Sequence, residues 1–167
     1  MMTKNQPAGK SKIISLDGLL KIRRKLKAQG RTVVLTNGCF DMLHAGHIQL
    51  FRNAKALGDV LIVALNDDAS IRRLKGPSRP IFPLAERLEV LSALGDIDYV
   101  TWFGEDTPQT IIAALVPDVL VKGGDWTPNT VVGRAEVEAA GGKVVIIPYV
   151  KGKSTTRIID KIREISV

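Results

Sequence analysis

"NGCFDMLHAGH", residues 37–47, follows the β-branched run "RTVVLT" (31–36) and leads into apolar residues at helical spacing. It holds both histidines of the chain and its only cysteine. A strand that ends at the Asn37-Gly38 turn and a helix that starts near His44 make a β–loop–α unit. His44 and His47, three residues apart, project from nearly the same face of that helix. The unpaired N–H groups and dipole of a helix start favour an anion there. Gly46 has no side chain, so a ligand can approach the backbone closely. These parts together read as a phosphate cradle with two imidazoles aimed into it. The plain alternative is one capping histidine and one packed histidine.

The alternation begun here continues along the chain. Strand-like runs are "TVVLT" (32–36), "VLIVALN" (60–66), "YVTW" (99–102), "VLVK" (119–122) and "VVIIP" (144–148). Helical stretches are expected over about 45–57, 67–74, 84–94, 108–115, 134–140 and 155–165. "SLDGLLKIRRKLKAQG" (15–30) predicts a further helix over 15–29, with Ser15 as N-cap and Gly30 as its stop. Leu16, Leu19, Leu20, Ile22 and Leu26 supply its apolar stripe. The strand runs are continuously apolar, which suits strands covered on both faces. Alternating β and α elements imply parallel strands with right-handed crossovers. The expected fold is α/β: a Rossmann-like, doubly wound sheet of five parallel strands with helices on both faces. Residues 1–14 are expected to form a flexible basic arm. Residues 15–167 are expected to form one domain, with its core over 31–165.

In such sheets ligands bind beyond the carboxyl ends of the strands. "NGCFDMLHAGH" follows the first strand, "NDDAS" (66–70) the second, "KGGDWTPN" (122–129) the fourth and "KGKSTT" (151–156) the fifth. The unusual chemistry thus collects on one edge.

The formal charge of +7 invites a nucleic-acid reading. Residues 1–30 carry eight Lys/Arg and one Asp, which accounts for all of it, while residues 31–167 balance. The basic character therefore belongs to the arm and its helix, not to a polyanion groove. One cysteine excludes an internal disulfide and, with two histidines, disfavours a structural zinc site. No apolar run is long enough to span a bilayer, and the polar start lacks a signal-peptide pattern, so a cytoplasmic protein is expected. "GKS" (152–154) mimics the end of a P-loop, but Ile147 stands where that motif needs glycine. No G-x-G-x-x-G follows the first strand. Cys39 is open to two readings, a nucleophile beside histidines or a small residue in a tight turn.

The pattern G-x-F-D-x-x-H-x-G-H at 38–47, "KGGDW" at 122–126 and "KSTTRI" at 153–158 occur in order, each after a strand-like run. In this the chain resembles the nucleotidyltransferase superfamily of cytidylyltransferase-like proteins over residues 31–165. "RLKGPSRPIFPLAERLEVLSAL" (73–94) and "EDTPQTIIAALVPDVLVKGGDW" (105–126) are similar to the branch that adenylylates D-glycero-β-D-manno-heptose 1-phosphate. "YVKGKSTT" (149–156) lacks the Arg-Thr-x-Gly usual in the cytidylyl branch.

The resemblance implies transfer of AMP from ATP to that sugar phosphate, yielding ADP-heptose and pyrophosphate for lipopolysaccharide core synthesis. It implies Mg²⁺ carried with ATP, a homodimer, no nucleic-acid partner, and action after a separate sugar kinase and phosphatase. His44, His47 and Lys75 are the implied catalytic groups, with Lys75 on a flexible loop. Asn37, Gly38, Cys39, Phe40, Gly46, His47, Lys122, Gly124, Asp125, Ser154, Thr155 and Thr156 are implied in nucleotide binding. Asp41, Arg79 and Arg87 are implied on the acceptor side, with Arg79 and Arg87 also open to a role in supporting the site, and Trp126 reads equally as a core aromatic. Two other readings remain open: a cytidylyltransferase for a small polyol or alcohol phosphate, and a regulatory or nucleic-acid-binding module using the basic arm.

Overall fold

A computed structural model describes residues 11–124, 126–148 and 155–165. Five parallel strands form one sheet: β1 (Val33–Gly38), β2 (Val60–Asn66), β3 (Tyr99–Phe103), β4 (Val119–Gly123) and β5 (Lys143–Ile147). Their order is β3-β2-β1-β4-β5. The chain winds outward from β1 to one edge, then returns to start the other half beside β1. The switch point therefore lies between β1 and β4, where Thr36 registers with Val121.

The described residues form seven α-helices, α1 (Leu16–Ala28), α2 (Ala45–Lys55), α3 (Asp68–Lys75), α4 (Leu84–Ser92), α5 (Gln109–Leu115), α6 (Arg134–Ala139) and α7 (Thr155–Ile165), and both faces of the sheet are covered by helices. Alternating strand residues divide the core. Val34, Leu61, Val63, Val119 and Val121 pack with Phe51 and Ala54 of α2 and Leu88 and Leu91 of α4. Val33, Leu35, Ile62 and Leu120 pack with Leu19 of α1, Ile111 and Ile112 of α5 and Val137 of α6. Burial on both faces is why the strands read as unbroken apolar runs. The doubly wound α/β sheet expected from the sequence is the fold observed.

Local signals act where the sequence placed them. Ser15 Oγ accepts from Gly18 N at the start of α1, and Gly30 follows its end with φ 66°. The expected apolar stripe of α1 packs against the α5 side of the sheet. Arg23, in the basic run, is also buried there, donating to Leu115 O, Val116 O and Asp118.

One boundary differs from expectation. Residues 12–14 are bonded to the outer edge of β3, with Ile14 N donating to Val100 O at 2.9 Å and Val100 N to Lys12 O at 2.8 Å. The end of the expected arm is therefore a sheet-edge piece, because Ile13 can join the α4-side core beside an unpaired strand edge. A chain truncated to begin at Ser15 should melt several degrees below one beginning at Ser11, since two ladder hydrogen bonds and an apolar contact are worth roughly 2 kcal/mol. Equal melting midpoints would show that the edge piece contributes nothing to stability.

Candidate active site

The β1–α2 connection sits at the switch point and turns back sharply on itself. Phe40 adopts φ 45°, in the left-handed region uncommon for a non-glycine residue. Its ring lies over Gly38, where an added Cβ would stand 3.1 Å from it. A side chain at 38 would press on that ring and require it to shift. Phe40 then meets His47 edge-on, with centroids 5.2 Å apart, and Phe51 at 5.0 Å. The aromatic ring thus supports His47 from below while sealing the core.

His44 is the N-cap residue of α2 and His47 lies in its first turn. Their rings stack with centroids 3.8 Å apart and planes inclined by 20°. Burial, reinforced by the neighbouring His44, lowers the His47 pKa from 6.5 to about 4. His47 is therefore a neutral imidazole at neutral pH, a hydrogen-bonding group whose charge is held back until an anion compensates it. Among the described residues, buried Nδ1 of His47 has no hydrogen-bond partner. Both rings and Gly46 line a small, partly open cleft with Gln49, Leu50, Gly123, Ile147 and Pro148. Leu50 closes on Gly123 so tightly that a Cβ there would meet it at 3.2 Å. Thr155, opening α7, donates from Oγ1 to Met42 O, which brings that helix start to the same loop. Thr156 follows it and is exposed. Ser154 and Asp125 lie outside the described residues.

Asp41 and Arg87 have partners within the protein, and those partners were not evident in the sequence. The Asp41 side chain is 1% exposed and accepts from Arg79 Nε at 2.6 Å and from the Ile81 and Phe82 amides. Arg87, equally buried, donates to Cys39 O, Asn66 O and Phe82 O and pairs with Asp68. In the structure these two groups brace the β1–α2 loop against the α3–α4 connection. Arg79 is held in the same way through Asp41. Lys75 is the exposed last residue of α3 rather than a loop residue. Its charge, with those of Arg87 and Arg79, falls on Cys39, yet burial dominates and pushes that thiol up. A raised thiol pKa removes the basis for Cys39 as nucleophile.

On the neighbouring strand, Lys122 is 8% exposed and donates to Asn37 Oδ1. Burial lowers its pKa from 10.5 to about 8. Its Nζ lies 5.7 Å from the centroid of Trp126, which at 46% exposure is not a core aromatic. Gly124 N donates to Ile147 O, so this amide serves the sheet. Sequence reasoning missed Asn66, whose amide bonds Ser70 and whose carbonyl receives Arg87. The "NDDAS" segment marked the place but not the partners. Among the described residues, no group of three or more His, Cys, Asp or Glu could hold a metal ion, and no helix is long and apolar enough to cross a membrane.

The model of cytidylyltransferase-like proteins matches residues 35–161, from β1 into α7. The chain belongs to the cytidylyltransferase-like family. That places it among the nucleotidyltransferases. It is 55% identical over 152 residues to the bifunctional protein HldE of Geobacter metallireducens, covering 91% of this chain and 31% of that protein. For HldE of Halorhodospira halophila the identity is 50% over 157 residues, covering 94% and 33%. The chain thus spans about a third of the length of these curated relatives. Among solved structures, a lipopolysaccharide core biosynthesis protein from Thermoplasma volcanium is 30% identical with TM-score 0.60, covering 74% of this chain and all of that one. A pantoate-β-alanine ligase from Francisella tularensis, 17% identical with TM-score 0.58 over 91% of this chain and 77% of that one, shares the fold.

The buried imidazole makes stability pH-dependent. His47 has its folded pKa near 4, below its ordinary 6.5, so the unfolded chain binds more protons between these values. Its contribution is complete above about pH 6.5 and is lost as pH falls toward 4. The melting midpoint of wild type should therefore drop more between pH 7 and pH 5 than that of His47→Asn. Parallel pH profiles would place the imidazole in a solvated setting.

Proposed function

We propose that the chain transfers AMP from Mg·ATP to D-glycero-β-D-manno-heptose 1-phosphate and releases pyrophosphate. The observation that carries this reading is the stacked His44–His47 pair at the α2 start, opening on a cleft at the switch point. Its support is a family of nucleotidyl transfer, relatives named HldE, and a solved relative described as a lipopolysaccharide core biosynthesis protein.

The nucleophile in this reaction is a phosphate oxygen. The second pKa of a phosphate monoester is about 6, so the group is largely ionised at neutral pH and needs no strong base. The protein's task is to bring two anions together and stabilise charge at the α-phosphorus. His44 and His47 face the triphosphate, with His47 beside the α-phosphate. The α7 start, with Thr155 and Thr156, suits the departing pyrophosphate. Magnesium enters as part of the substrate and offsets phosphate charge. Lys75, exposed above the Cys39 turn, reaches the reacting phosphates from solvent. A cytidylyltransferase reading is favoured by the family's description alone, and the choice between ATP and CTP is a direct one. Pyrophosphate release is to be followed with each nucleotide and a panel of sugar 1-phosphates. Release with ATP and the heptose phosphate supports the proposal. Release only with CTP, or with none of the pairs, overturns it.

His47→Ala should keep its fold and lose about 10²–10³-fold in turnover, the scale for removing one preorganised donor from developing charge. Lys75→Ala should lower turnover more than it weakens ATP binding. Steady-state kinetics beside a melting curve for each variant checks both. A fully active His47→Ala would return the imidazoles to a packing role.

A further inference from the structure

The two faces of the switch point carry different cations. Strand alternation places Gly123, Val121 and Val119 toward α2, the side of the histidine cleft. Leu120 lies on the other face, with Leu35 and Val33 of β1. By the same alternation Lys122 and Asn37, one step beyond the Thr36–Val121 register, share that second face. They touch there, Lys122 Nζ donating to Asn37 Oδ1. An ammonium has only donors, so the carboxamide must turn its oxygen to the lysine. Its NH₂ group is then held away from Lys122, oriented as a donor at the same strand edge.

Among the described residues no carboxylate forms an ion pair with Lys122. A buried cation without an opposing charge is costly unless a ligand supplies one. Its lowered pKa has the same origin, the burial of the ammonium.

We propose that Lys122 and Asn37 bind the phosphate of the acceptor, a phosphate monoester, on the face of the sheet edge opposite the histidine cleft. This rests on the nucleotidyl-transfer reading and replaces the expectation that both residues bind the nucleotide. Its logic is the in-line requirement of phosphoryl transfer. The leaving pyrophosphate departs on the histidine side, so the attacking oxygen arrives from the other. An oxygen of the acceptor phosphate bonds to the α-phosphorus as the bond from that phosphorus to the bridging oxygen breaks. Pyrophosphate leaves with the electron pair, and no proton moves at the attacking atom. Two anion sites on two faces keep the charges apart until the α-phosphorus lies between them.

The test uses the chain with Trp102→Phe, which leaves Trp126 beside Lys122 as the only tryptophan. Its fluorescence is titrated with a hexose 1-phosphate and with inorganic phosphate. Binding of α,β-methylene-ATP is measured by calorimetry. Lys122→Met keeps the buried volume while removing the donor. A saturable response to the hexose 1-phosphate is expected, weakened about tenfold or more by Lys122→Met, the scale of a hydrogen bond to a charged group. Affinity for the ATP analogue should stay within about twofold, a difference under half a kcal/mol. Asn37→Ser should weaken the same ligand with Lys122 intact. Loss of ATP-analogue affinity with monoester binding unchanged would assign the pair to the nucleotide. Absence of any monoester response in the parent chain would also overturn the proposal. Monoester binding that depends on Lys122 while no nucleotide is turned over would leave this site standing and sink the nucleotidyl-transfer reading.

Discussion

The β1–α2 loop is held by charged groups buried beneath it. A segment with a left-handed Phe40 and no ladder of its own would be mobile unless other groups fixed it. Asp41 does so from within the loop and Arg87 from α4. Asp41 captures Arg79 and two amides of the α3–α4 connection, and Arg87 joins three carbonyls from three separate segments. Each ion is desolvated and fully engaged, the condition under which buried charge fixes one conformation. The position of Phe40, and through it of His47, follows from that bracing.

The bracing also explains how the site divides labour. Asp41 and Arg87 are buried and satisfied within the protein, while His47 and Lys122 are the groups that the proposed reaction assigns to phosphate. His47 and Lys122 both have pKa values lowered by burial. Each would regain its proton affinity when a phosphate arrives, so binding energy concentrates where negative charge develops. A site built this way favours a highly charged encounter over a neutral one.

Much of the fold was legible because burial on both faces leaves a plain mark. All five strands appeared as unbroken apolar runs, and the local chemistry of Ser15 and Gly30 marked the two ends of α1. The histidine pair stood out only within the full G-x-F-D-x-x-H-x-G-H pattern after a strand, since the spacing of two histidines alone reads equally well as one capping and one packed residue. The bracing roles were not, because nothing local reveals a partner 38 or 48 residues away, as with Asp41–Arg79 and Arg87–Cys39. Arg23, which stands in the basic run of α1, is buried in the fold, and so is Lys122, which the resemblance implied in nucleotide binding. Trp126 went the other way, since an indole beside a strand end can serve as a roof over Lys122 instead of filling the core. The edge pairing of residues 12–14 depends on β3 being the sheet's outer strand, which is a property of topology and not of the segment.

The central claim is that an acceptor phosphate attacks the α-phosphorus between the two anion sites. Oxygen-18 placed in the phosphate of the sugar 1-phosphate tests it most directly, with products separated and weighed by mass spectrometry. The account predicts that all of the label appears in the nucleotide sugar and that the released pyrophosphate carries none. Labelled pyrophosphate, or AMP released alongside a labelled sugar polyphosphate, would place the attack at another phosphorus and contradict it.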